Sequence, residues 1–264
     1  MARTAGTARL GRLGYIPFWC TYVFLYTPII VLVVMSFNAG RSPYGFDGLS
    51  LKWYGRLAGN DLVLHGLGNT LIVAAGTTAL STVLGTMLAV GLSRFVRSRL
   101  LDALSLLPAV LPDLVLGLGL LVFYTTIRFT LGLQSILLAH TVFGIAFVAA
   151  VVRTRLGHGD TTLEEASRDL GATPLTTFAR ITLPQLAPGI VAGALLAFTL
   201  SLDEFVIAYF TAAPTEPTLP IVIYSMVRFG VTPEINALAT LLLAVSFTVV
   251  IVAQRMTRLT ESLR

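Results

Sequence analysis

Six runs of apolar residues recur along this chain, at 15–37, 67–92, 103–127, 129–152, 187–207 and 235–253. Each is close to the roughly 20 residues that an α-helix needs to cross about 30 Å of hydrocarbon. Nothing constrains a fold more tightly, because in lipid the backbone can satisfy its own polar groups only as a helix or a closed barrel. The charged fraction is 12%, against roughly a quarter in soluble domains. The expected class is therefore all-α: a polytopic membrane helix bundle of six transmembrane helices, with residues 1–264 as a single domain.

The first run is rimmed by Tyr15, Phe18, Trp19 and Tyr22. A signal peptide has an apolar core of only about 7–15 residues, so this run is expected to stay as a span. After it, NAGRSPYGFDG reads as turns and LSLKWYGRL as a short interfacial helix carrying Trp53 and Tyr54. The third run is interrupted by Pro108 and Pro112 and holds Asp113; a tight turn near Arg128 joins it to the fourth. IVIYSMVRFG, with Arg228, is apolar but short, which suggests a re-entrant or surface helix.

Six crossings place both termini on one side. If that side is the cytoplasm, 13 of the 18 basic residues lie there, including Arg3, Arg9 and Arg12, Arg94, Arg97 and Arg99, Arg153 and Arg155, and Arg255, Arg258 and Arg264. Only Arg41, Lys52, Arg56, Arg128 and Arg228 fall outside, so the positive-inside rule chooses cytoplasmic termini. The same clustering argues against nucleic acid as a partner, since the basic residues flank apolar runs instead of lining one face.

Several kinds of chemistry find no support. Cys20 is the only cysteine, which excludes an intrachain disulfide. His65, His140 and His158 are scattered and lack the companions of a zinc site, and no nucleophile motif is present. His140, midway along the fourth run, reads as a packed, hydrogen-bonded histidine. Lys52 is the only lysine and follows no glycine-rich loop, so the chain is not expected to bind or hydrolyse ATP by itself.

One polar island stands out, at 160–184. Thr162 and Glu165 have the spacing of a capping box, and Leu163, Ala166 and Leu170 form an apolar stripe at helical spacing. Gly171 is placed to end that helix in the left-handed conformation. Thr173 and Pro174 then pair an N-cap with a proline at the first helical position. A second short helix follows, with Leu175, Phe178 and Ile181 on one side and Pro184 and Pro188 limiting its run. By pattern alone the knuckle is either a packing element or a docking surface.

Charges inside a span are costly and usually face a cavity or a partner. Asp113 falls about 15 Å along a straight helix counted from Ala103 at about 1.5 Å per residue, near mid-membrane. Asp203 and Glu204 fall near the outer surface. Carboxylates at two depths suit a cation stepping inward; the competing readings are a helix cap for Asp113 and interfacial charges for the other two. Glu234 and Asn236, after Pro233, read first as helix-start residues.

Glu165-Ala166-Ser167, Gly171 after three intervening residues and Ile181-x-Leu183-Pro184 after nine more resemble the Glu-Ala-Ala loop of permease subunits of bacterial ABC importers. Ser167 departs from the usual second alanine. MSFNAGRSPYGFDGLSLKWY and TLSLDEFVIAYF with LPIVIYSMVRFGVTPEINALAT are similar to permeases of the spermidine/putrescine importers. The resemblance implies a type I importer permease fold, with Glu164, Glu165, Ala166, Ser167, Gly171, Ile181, Leu183 and Pro184 coupling the chain to an ATPase. It also implies polyamine cargo, a second permease subunit of different sequence, two copies of an ATP-binding subunit that use ATP and magnesium, and an external solute-binding protein. Asp113, Asp203 and Glu204 would be the pathway residues, and the site of action the bacterial cytoplasmic membrane. The alternatives are import of another small ion, such as thiamine, iron, phosphonate or molybdate, and a secondary carrier, whose usual internal repeats are not evident.

Overall fold

A computed structural model describes residues 4–41, 45–96, 98–157, 162–228, 230 and 232–262. Arg3, Arg97, His158 and Arg264 lie outside the described residues, as do the first two residues of the polar island. The elements are α1 (Thr4–Ser36), α2 (Lys52–Ala58), α3 (Asp61–Arg94), α4 (Arg99–Val110), α5 (Asp113–Thr126), α6 (Leu133–Gly157), α7 (Thr162–Asp169) and α8 (Pro174–Thr177), then a π-helical turn (Phe178–Thr182), α9 (Leu183–Asp203), α10 (Val206–Thr211), α11 (Leu219–Arg228) and α12 (Pro233–Ser262). Among the described residues there is no strand, only an isolated bridge between Asn38 and Leu49. The chain is all-α, as its apolar runs require.

Two compact units result, one of Met1–Asn60 with Ser225–Val245 and one of Asp61–Tyr224 with Ser246–Arg264. In the first, Asn38 is fully buried and organises the connection after α1: its side-chain amide donates to the Gly45 carbonyl, and its Oδ1 accepts from the backbone of Gly40 and Asp47. Its carbonyl takes the indole N–H of Trp53 at 2.7 Å. Trp53 is therefore buried under the loop, not set at a membrane interface as its position in LSLKWYGRL suggests. Glu234, in the first turn of α12, accepts from the Asn60 side chain at 3.1 Å.

The second unit is built on α3, α6 and α9. Lipid tails are as apolar as leucine, so such helices associate through close packing of small residues. Gly85 and Gly144 show this most plainly. A Cβ on Gly85 would lie 2.7 Å from Val148 Cβ, and one on Gly144 would lie 2.9 Å from Ser81 Cβ. Ala89, Val148, Ala149, Val152, Leu186 and Ala197 fill the seam beside them. His140 is buried on α6, its Nδ1 2.8 Å from Ser201 Oγ of α9, in keeping with a packed, hydrogen-bonded histidine.

Two of the six expected spans are altered. The run at 103–127 is not one straight helix, because α4 and α5 meet at a bend of 103°. Leu111 precedes Pro112, and the proline ring drives it into extended conformation (φ −63°, ψ 139°), which ends α4. The depth assigned to Asp113 by counting from Ala103 is lost with the straight helix it assumed. The fifth span begins far earlier than 187: α8, the π turn and α9 form one helical run, Pro174–Asp203. Pro184 and Pro188 do not stop it. A proline clashes with the carbonyl four residues back, and the wider π turn shifts that carbonyl out of register before Pro184.

Among the described residues, four helices are long and apolar enough to cross a membrane, or five if the bent pair is one span. Pro233–Thr248 is apolar but shorter, and so is α11, whose ten residues make only about 15 Å of helix. The α5–α6 connection is the tight turn expected: Arg128 adopts φ 57°, and Phe129 N donates to Tyr124 O at 2.8 Å. Past α10, the connection is tied back by Leu133 N to Glu216 Oε2, by Asn69 to the Pro217 carbonyl, and by Leu219 N to Thr70 Oγ1.

Gly85→Ala is expected to destabilise the α3–α6 seam by about 1–3 kcal/mol, since a branched neighbour's Cβ cannot give way cheaply. A fall in the thermal midpoint of the detergent-purified protein reads this. Gly91→Ala on the same helix, with nothing within 4 Å, is the control and should leave the midpoint in place.

Candidate functional site

The polar island folds as a helical knuckle whose turn is written in local chemistry. Gly171 has φ +86°, with Ala172 N donating to Ser167 O and Gly171 N to Arg168 O, the paired bonds of a Schellman ending. Thr173 caps α8 by accepting from Thr176 N at 3.3 Å, and Pro174 occupies its first turn. The helix is described from Thr162 onward, and Glu165, the carboxylate of the expected capping box, is exposed.

Glu164 is instead the engaged carboxylate. Arg94, at the end of α3, donates through Nη1 to Oε2 at 2.8 Å and through Nη2 to Oε1 at 2.5 Å. Thr182 of the π turn donates to the same Oε1 at 2.7 Å. Burial alone pushes the Glu164 carboxyl up, but the hydrogen bonds from Arg94 and Thr182, with the charges of Arg94 and Arg168, outweigh it and hold the group below its ordinary value. Ser167 and Thr177 hydroxyls lie 3.1 Å apart and close the knuckle's inner side.

The outer side is apolar. Leu170 is 89% exposed and Leu175 77%, with Leu163, Ala166 and Leu183 also exposed. The stripe that sequence spacing drew on α7 thus faces away from the protein. Ile181 is half-buried in the π turn, and Pro184 is exposed one residue into α9. All the residues of the coupling set are on this one projection, and Arg94 and Thr182, which anchor it, are additions that sequence spacing did not signal.

The second gathering is at the two helix breaks. Asp113 opens α5 directly after the bend; Asp203 ends α9, and Glu204 lies in the gap before α10. The α10 helix packs on α5, with Ile207 against Gly117. This brings the three carboxylates together electrostatically, so that the charges of Asp113 and Asp203 both act on Glu204. Glu204 also accepts from Ile207 N and so caps α10, a structural duty not foreseen from sequence.

Beside them stand three aromatic rings: Phe205 with Tyr209 at 5.5 Å between centroids, Phe205 with Tyr224 at 4.8 Å, and Tyr209 with Tyr224 at 5.9 Å. Tyr209 and Tyr224 are exposed. Sequence reasoning missed them because Tyr224 comes from α11, and no spacing along the chain joins it to Phe205. Carboxylates beside exposed aromatic faces make an environment that attracts organic cations.

The Glu164 pair has a consequence for pH. A carboxylate held below its ordinary 4.5 stays ionised as the medium is acidified, so its contribution is full above 4.5 and is lost only as pH falls through the depressed value. Hydrogen-exchange protection of α7 amides, corrected for intrinsic rates, should hold from pH 7 to about 4.5 and then fall.

The sequence profile described as "Binding-protein-dependent transport system inner membrane component" matches residues 81–262. The putrescine transport system permease protein PotI of Escherichia coli (strain K12) is 44% identical over 231 residues, covering 84% of this chain and 82% of that protein. The spermidine/putrescine transport system permease protein PotC of the same organism is 38% identical over 253 residues, 95% of each chain. PotC of Haemophilus influenzae is also 38% identical, over 90% of this chain and 93% of its own. Among solved structures, a bacterial ABC transporter that imports the acidic polysaccharide alginate superposes with a TM-score of 0.77 at 18% identity over 96% of both chains. The MetNI methionine ABC transporter in inward-facing conformation gives 0.61 at 21% identity over 75% of this chain and 94% of its own. On the profile match and on relatives at this identity over most of its length, this chain belongs to the family of inner membrane components of binding-protein-dependent transport systems.

Proposed function

We propose that this chain is one permease subunit of an ABC importer for polyamines, putrescine or spermidine. It supplies part of the pathway and is driven through residues 162–184 by a separate ATPase. The reading of the cargo rests on the meeting of Asp113, Asp203 and Glu204 beside the Phe205, Tyr209 and Tyr224 rings. The names of the relatives point to the same cargo. An extended diamine or triamine places an ammonium near a carboxylate and its methylene chain against aromatic faces, and each contact is weak enough to release it.

The coupling role is supported by the continuity of the helix from Pro174 to Asp203, which ties the knuckle mechanically to the residues at the second break. Partners follow from the reading: a second permease subunit of different sequence, two ATP-binding subunits using ATP and magnesium, and an external solute-binding protein. Both chain termini then face the cytoplasm, with the knuckle.

Reconstitution in proteoliposomes with radiolabelled putrescine and spermidine tests the cargo. Asp203→Asn with Glu204→Gln, which leaves an amide oxygen to cap α10, should lower uptake about tenfold, equivalent to about 1.4 kcal/mol. Assembly and basal ATP hydrolysis should persist; equal loss of all three would assign these carboxylates to folding.

Docking is tested separately. Leu170→Glu with Leu175→Glu changes two outward side chains that touch nothing needed for the fold. The variant should reach the membrane in normal amount yet fail to co-purify the ATP-binding subunit. Retention of that subunit at wild-type yield would rule out the apolar face as its seat.

A further inference from the structure

We propose that Arg94, Glu164 and Thr182 form a clamp that sets the pose of α7 relative to both α3 and the root of α9, and that Glu164 is a positioning residue within this chain, not a contact to the ATPase. The proposal rests on the coupling role of the knuckle proposed above.

The argument starts from what α7 lacks. It has eight residues, none of them buried, and isolated helices shorter than about 12 residues are marginal in water. Its apolar stripe faces outward, so apolar packing does not orient it. Its inward contacts are polar: Ser167 to Thr177, and Glu164 to Arg94 and Thr182.

Of the Glu164 contacts, the one to Arg94 reaches beyond the knuckle and the one to Thr182 reaches its far end, at the root of α9. Arg94 is 70 residues away on α3, and Thr182 is buried in the π turn that leads into α9. Both carboxylate oxygens are occupied, and the Glu164 side chain is only 12% exposed. A guanidinium grips a carboxylate with two parallel bonds, which fixes angle as well as distance. Any push on α7 is therefore delivered to α3 and α9 together. Without the grip, α7 stays linked to the α9 run through the backbone turn at Gly171 and the Ser167–Thr177 hydroxyl contact, and α3 receives nothing directly. Glu165, one residue on, is exposed and points the other division of labour: the outward carboxylate is left to the partner.

The test uses the assembled transporter in proteoliposomes with radiolabelled putrescine, and compares Glu164→Gln, Arg94→Met, the double variant and the reciprocal Arg94→Glu with Glu164→Arg. Uptake per ATP hydrolysed should fall about tenfold in each single variant, with the double variant no worse than either, because one interaction is being removed. Arg94→Lys, which keeps charge but not the two-pronged geometry, should also fall, and the reciprocal exchange should recover part of the loss. Co-purification of the ATP-binding subunit should hold throughout, and hydrogen-exchange protection of α7 should drop equally in Glu164→Gln and Arg94→Met whatever the cargo.

Loss of the subunit in Glu164→Gln but not in Arg94→Met would overturn the clamp and make Glu164 a docking contact. Additive effects, or unchanged α7 protection, would overturn it as well. A wild-type transporter that binds no ATP-binding subunit would instead defeat the coupling reading, while α7 protection still reports on the clamp.

Discussion

A bilayer offers no water to an unpaired backbone group, and that constraint shapes this chain from end to end. Where the helix runs without interruption, as from Asp61 to Arg94 or Leu133 to Gly157, the residues serve packing. Where it breaks, at Leu111–Pro112 and at Glu204–Phe205, protein has to replace the lost ladder, and polar side chains gather there. Glu204 illustrates the link, since its carboxylate both caps α10 and joins Asp113 and Asp203 in one acidic neighbourhood. Breakage and chemistry are consequently found together.

The transmission of force proposed above has a different basis. The α3–α6 seam is close-packed through Gly85 and Gly144, and packing of this density favours shifts of whole helices over gradual deformation. The knuckle is joined to this seam by an unbroken helical run through a π turn on one side and by the Arg94–Glu164 grip on the other. Its exposed leucines, Leu170 and Leu175, then present an apolar face to whatever sits beneath it. Leaving such a face uncovered is costly in water, which supports the docking role proposed for it.

How much was legible beforehand varied with the range of the interaction. The Schellman ending at Gly171 and the Thr173–Pro174 start were readable because a glycine, a hydroxyl and a proline act on backbone within a few residues. The run of the fifth helix was misjudged at Pro184 because the π turn that accommodates it carries no compositional mark. The bend before Asp113 was visible as Pro112, yet its angle was not. Trp53 shows the same limit: it reads as an interfacial anchor until Asn38, fifteen residues back, is seen to cover it.

The amino-acid sequence by itself determined the class: long apolar runs with basic flanks admit only membrane helices, and local residue chemistry decides where the knuckle turns. Tertiary structure alone decided which carboxylate of the Glu164–Glu165 pair faces inward, which side of α7 is bare, that the charge of Asp113 acts on Glu204, and that Phe205, the next residue, packs on Tyr224. The physical reason is range. Caps and turns are settled by neighbours along the chain, whereas the partner of Glu164 is 70 residues away and is chosen only when α3 and α7 have packed.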